Sequence, residues 1–156
     1  MSEVVLSPRT LAYDELPGSL GEQFGPTDWT PVTQPQVAGF ADLTHDHQWI
    51  HVDEERAKEG PFGATIAHGY LTLSLVPFFL GRLFEVGGVS MAVNYGLEKV
   101  RFPAPVPVGS RVRATAEIVG VQARTGTTQL TARVSVECDA ADKPVCVADV
   151  VILFVG

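Results

Sequence analysis

Two hydrophobic rhythms divide the chain. Up to about residue 85, apolar positions recur at helical spacing between turn signals; from residue 89 they alternate with polar ones. Helices gathered in one half and strands in the other define an α+β chain. Residues 89–102 form the first β segment. Residues 111–124 put Val112, Ala114, Ala116 and Ile118 on one face, and residues 128–137 do the same with Leu130, Ala132, Val134 and Val136. Residues 145–155 close the chain. Thr125-Gly126 and residues 139–143 read as hairpin turns.

In the first half, residues 10–16 read as a short helix that Pro17-Gly18 ends, and residues 17–28 as irregular. Thr33 and Gln36 have capping-box spacing, with Pro35 in the first turn. Val37, Phe40, Ala41 and Thr44 then share one helical face. Asp53 suits the N-cap of a short helix through Lys58, stopped by Gly60-Pro61. The longest helix is expected over residues 65–85, where Ile66, Ala67, Gly69, Tyr70, Leu71, Leu73 and Leu75 are small or apolar on every side. Such a helix is buried, here by wrapping sheet, and Pro77 should kink or divide it. The sum is a bent antiparallel sheet around one central helix, in a single domain spanning residues 1–156 with no repeat or linker tract.

Composition narrows the partners. Apolar residues make up 46% and charged residues 19%, which excludes disorder. The net charge of −7 argues against a duplex nucleic-acid binder, yet leaves room for an anionic ligand in a local basic pocket. Cys138 and Cys146 are the two cysteines, and no basic-then-apolar leader opens the chain. They read as reduced, buried thiols of a cytoplasmic protein. The strongest apolar stretch, residues 69–80, contains Thr72, Ser74 and Pro77 and is too short to span a bilayer.

The densest polar cluster runs from Thr44 to Asp53 and holds three of the four histidines. Asp46 and His51, just past a helix end, can converge on one water. A carboxylate and an imidazole so placed suit proton transfer near neutral pH. A polar surface loop is the plainer alternative. A metal site from His45, His47 and His51, completed by Asp46, Asp53 or His68, is a third, although no ligand pair follows downstream. The glycines of residues 60–69 lead into the buried helix, whose first amides lack internal partners and can hold a carbonyl oxygen gaining negative charge. Gly69 equally suits close packing of that helix on the sheet, and His68 suits a core position.

These residues resemble a known family. Phe40-Ala41-Asp42-Leu43-Thr44-His45-Asp46-His47-Gln48-Trp49-Ile50-His51, followed after five residues by Ala57, looks like the hydratase-2 motif of MaoC-like dehydratases, which include (R)-specific enoyl-CoA hydratases. Asp46 to Asp53, Gly60 to Gly63, Thr65 to Leu73 and Val100 to Val106 are especially similar to its nodulation-protein-N-like branch. The resemblance covers about residues 33–113. It implies a hot-dog fold, a homodimer with sheets joined edge to edge, and an acyl thioester of CoA or acyl carrier protein as substrate, with no cofactor or metal. By position, Asp46 and His51 match the family's catalytic pair, and Gly69 matches the glycine whose amide binds the thioester carbonyl. The chain departs from the general motif in three places. Gln48 stands for Asn and Trp49 for Pro, and Gln48 can still hydrogen-bond within the loop. His45 stands where the family has glycine. If that position needs a positive φ, His45 costs about 1 kcal/mol or more, and it could pair with Asp46.

The expected activity is reversible addition of water to a trans-2-enoyl thioester, as in fatty acid metabolism. Asp46 would polarise the water and His51 transfer the proton. Phe62, Ile66, Leu71, Leu75, Phe78, Phe79 and Tyr95 are candidates for the acyl pocket. Asn94-Tyr95-Gly96 breaks an apolar strand, as a pocket edge or as an ordinary bulge. Lys99 and Arg101, with Arg111 and Arg113, form the basic concentration that CoA phosphates would need. A thioesterase would want an acid on the central helix, and none lies between Ile66 and Leu83. A non-catalytic acyl-thioester binder is the remaining alternative.

Overall fold

The computed structural model describes residues 7–156. In chain order, β1 (Arg9–Ala12) leads through a 3-10 turn (Tyr13–Gly18) to the short strands β2 (Gln23–Phe24) and β3 (Thr30–Pro31). The helices α1 (Gln34–Thr44), α2 (Trp49–Val52), α3 (Glu54–Lys58), α4 (Gly69–Ser74) and α5 (Val76–Leu83) follow. The strands β4 (Phe84–Gly87), β5 (Met91–Arg101), β6 (Arg111–Arg124), β7 (Thr127–Cys138) and β8 (Cys146–Val155) complete the chain.

The main sheet is antiparallel in the order β2-β6-β7-β8-β5, with β3 also on β6. Its register follows the sequence alternation. Ala114 faces Val136, Ala116 faces Val134 and Ile118 faces Ala132, while Leu130 faces Ile152 and Val134 faces Ala148. All of these are buried and form the inward face. Against it lie Val76, Phe79, Leu80 and Leu83 of α5, and all of them belong to one continuous core. Central helix and wrapping sheet make the hot-dog arrangement. Cys138 and Cys146 are buried free thiols, and burial pushes the Cys146 thiol up to about 11, so it stays protonated. Among the described residues no helix is long and apolar enough to cross a membrane.

The long strands lie within one or two residues of where alternation puts them, but two helices differ. Residues 10–16 are not a helix. Arg9–Ala12 pairs in parallel with Phe84–Gly87, burying Leu11, and helical turns resume only as 3-10 from Tyr13. A distant strand overrides local propensity there. The central helix starts at Gly69 rather than Thr65. Thr65, Ile66 and Ala67 are extended because their backbone is bonded elsewhere. Ile66 N donates to Ile50 O (2.9 Å), Ala67 N to Val106 O (2.8 Å), and Val108 N to Thr65 O (2.9 Å). The helix also ends at Leu83, where the chain turns extended as β4. Pro77 stands in the first turn of α5, and the break falls at Leu75, so the two helices follow one another closely.

Burial of the central helix is one-sided within a single chain. Tyr70 is 70% exposed and Phe78 42%. Edge strand β5 leaves Met91, Val93, Tyr95 and Leu97 exposed too. The register of β5 on β8 shifts between Asn94 and Gly96, so Tyr95 sits in a bulge.

Candidate active site

The site begins with the capping box of α1. Thr33 Oγ1 accepts from the Gln36 amide (3.4 Å), and Gln36 Oε1 accepts from the Thr33 amide (3.0 Å). Val37 and Ala41 face the core, while Thr44 is exposed and donates back to Phe40 O (2.7 Å). The helix ends on His45, at φ 62° and ψ 18°. Among the described residues it is the one non-glycine with positive φ. An L-residue pays about 1–2 kcal/mol for that conformation. It turns the chain so that Asp46 Oδ1 accepts from the Gln48 amide (3.3 Å), a local side-chain turn that leads into α2.

His51 on α2 is buried, at 7% exposure. Its Nδ1 lies 2.7 Å from Ile66 O. A carbonyl only accepts, so Nδ1 carries the proton and the neutral ring keeps its lone pair on Nε2. Gln34 Nε2 donates to His51 O (2.8 Å), and Thr65 Oγ1 donates to Gln34 Oε1 (2.6 Å). Burial holds the imidazole below its ordinary value of 6.5, the bond to Ile66 O opposes this, His68 adds to the lowering, and Asp46 opposes it.

His68 lies against His51. The rings stack with centroids 3.8 Å apart and planes 23° apart. His68 Nε2 reaches Asp46 O at 3.0 Å and Asp46 Oδ2 at 4.0 Å. The donor atoms of Asp46, His51 and His68 all lie within 4.8 Å of one another. A cation could be held only by the nitrogen of each ring not bonded to a carbonyl. His45 and His47 do not join this trio, and His47 pairs with Asp42 on the surface (2.8 Å).

Gly69 is the first residue of α4, where the amide has no acceptor within the helix. A Cβ on it would stand 3.0 Å from the Phe102 ring, so this glycine serves close packing. It also lines a cavity of about 300 Å³ with His51, Phe62, Ile66, Thr72 and Phe102. That is the low end for ligand pockets, so a small apolar group fits. His51, Gly69, Phe62 and Ile66 thus meet at one cavity, and Asp46 stands beside His51. Gln48 sits at the N-cap of α2 and serves the loop through its backbone. His45 shapes the turn, and the Asp46 carboxylate has His68, not His45, within 4.0 Å. Phe79 is core, while Phe78 and Tyr95 are exposed away from the cavity. Lys99 and Arg101 are exposed on β5, which runs into the cavity wall at Phe102. Arg111 and Arg113 are engaged elsewhere, ion-paired to Asp139 (2.8 Å) and Glu137 (3.0 Å) and packed over Trp29. Gln34 carried no sequence signal, and Phe40 and Thr65, although part of the family-like segments, showed no role there, because their contacts lie far along the chain.

Fold and site together define a hot-dog protein with an acid–imidazole pair beside a helix amide. A family model for the MaoC like domain matches residues 15–140. The chain is 54% identical to 3-hydroxyacyl-thioester dehydratase Z of Mycobacterium tuberculosis, over 91% of this chain and 95% of that one. It is 41% identical to nodulation protein N of Rhizobium leguminosarum, over 89% and 88% of the two chains. A solved structure, the monoamine oxidase regulatory protein of an Archaeoglobus species, superposes with a TM-score of 0.77 at 28% identity, over 96% and 97%. The chain belongs to the MaoC-like dehydratase family.

The αL turn makes one prediction. His45→Gly should leave the unfolding midpoint in urea unchanged or raise it. His45→Val should lower stability by more than about 1 kcal/mol, because a β-branched side chain fits αL poorly. Equal stability of the two variants would show that the turn stores no strain.

Proposed function

We propose that this chain catalyses reversible hydration of a trans-2-enoyl thioester to the (R)-3-hydroxyacyl thioester, a hydro-lyase reaction of fatty acid metabolism. The observation that carries it is that His51, with its Nε2 free, and Gly69 line one small apolar cavity while an Asp46 carboxylate oxygen lies within 4.8 Å of the His51 ring. The acyl thioester end occupies the cavity, with Phe62 and Ile66 against the chain. The carrier, CoA or acyl carrier protein, stays outside, where Lys99 and Arg101 meet its phosphates.

The thioester carbonyl accepts from Gly69 N–H, a bond that strengthens as enolate charge builds and so favours the transition state. Water donates to the exposed carboxylate of Asp46 and to His51 Nε2. As its oxygen forms the bond to C3, His51 takes a water proton, and a proton returned to C2 completes the addition. Dehydration is the same path reversed. No step draws on a cofactor. The buried thiols fit a reducing cytoplasmic setting.

The exposed apolar edge of β5 and the bare side of the central helix fit a homodimer with sheets joined edge to edge. Sedimentation should give twice the mass of one chain, and a monomer at micromolar concentration would remove this reading.

Purified protein should bleach the enoyl-thioester absorbance of crotonyl-CoA or a longer enoyl-CoA, with or without chelator. Asp46→Asn and His51→Ala should each lower kcat by about 10²–10⁴. Near-wild-type turnover in both would remove the pair, and the absence of any hydration by wild-type protein would favour a binding role. The pH dependence has a definite sign. His51 acts as the neutral base and its value lies below 6.5, so its protonation should not limit kcat/KM until the pH falls below that value. An acid limb governed by His51 and centred above 6.5 would contradict the buried, neutral imidazole.

A further inference from the structure

His68 has no part in the hydration chemistry above, yet it touches all three elements that perform it. Its ring stacks on His51, its Nε2 reaches the backbone carbonyl of Asp46 twenty-two positions earlier, and it is itself the N-cap of α4, next to Gly69. We propose that His68 is a positioning residue, whose Nε2–H and stacked ring lock the Asp46 loop, the His51 imidazole and the Gly69 amide into one rigid unit. This rests on the hydratase reading of the same site.

The donor follows from the contacts. The Asp46 carbonyl can only accept, so Nε2 carries a proton. Among the described residues Nδ1 has no hydrogen-bond partner, and His68 as a whole is 2% exposed, so the ring is held by its Nε2 bond and its stack. The titratable groups facing His68 are His51 and Asp46. Phe40 of α1 covers the ring as well, with centroids 4.9 Å apart, which opposes tilting.

Two substitutions divide the contacts. His68→Gln keeps an N–H near the position of Nε2 and loses the stack. His68→Phe keeps the stack and loses the donor. With loop and amide loosened, the Phe variant should lose about 10²-fold in kcat with KM within about threefold of wild type, since misplacement by an ångström costs that much. The Gln variant should recover at least about fivefold of that loss. Wild-type kcat in His68→Phe, or no recovery in His68→Gln, overturns the clamp. Should neither variant fold, ¹⁵N spectra of histidine-labelled wild-type protein decide. The His68 Nε2 should carry a proton and donate to the Asp46 carbonyl, and a ring with its lone pair on Nε2 overturns the proposal. These spectra need no turnover, so a protein without hydratase activity would fail the functional reading while leaving the clamp to be judged by itself.

Discussion

Three residues with no chemistry of their own, Thr65 to Ala67, set the geometry of this protein. They run extended between two neighbours, bonded through Ile66 N to Ile50 on one side and through Ala67 N to Val106 on the other. Each bond contributes only about 1 kcal/mol. Together they fix which way every group in the segment points. The Ile66 carbonyl is thereby aimed at His51 Nδ1 and settles its tautomer. The helix is held back until Gly69, so that its first amide opens beside His51 at the cavity. Thr65, in the same segment, braces Gln34 beneath the His51 backbone.

The same segment marks the boundary between what was legible in the sequence and what was not. Local codes read true. The Thr33/Gln36 capping box, the Asp53 N-cap and the alternation of residues 111–137 each involve neighbours within a few positions, and each is where it should be. Residues 65–68 read as helix by composition, because nothing nearby announces that Ile50 and Val106 will claim their amides. Residues 10–12 mislead in the same way, since their partner strand lies more than seventy positions away. For the site, Asp46, His51 and Gly69 could be named from spacing and resemblance. The contact network around them, Gln34, Thr65, Phe40 and the stacked His68, exists only once α1, α2 and α4 meet.

Among the described residues, the one left-handed non-glycine lies directly before Asp46, in the tight turn that leads to the carboxylate. The bulge at Tyr95 lies on the edge strand with its apolar row uncovered. A second shift on β5 falls between Leu97 and Lys99, and one lies inside the sheet between Ile118 and Gly120 of β6, whereas β7 and β8 pair without one.

The two members of the acid–imidazole pair live in different media. The side chain of Asp46 is 52% exposed, whereas His51 lies against the apolar cavity. The boundary between wet and dry therefore passes between them. Bulk solvent reaches the carboxylate directly, whereas the imidazole beside it is screened by the residues packed around it.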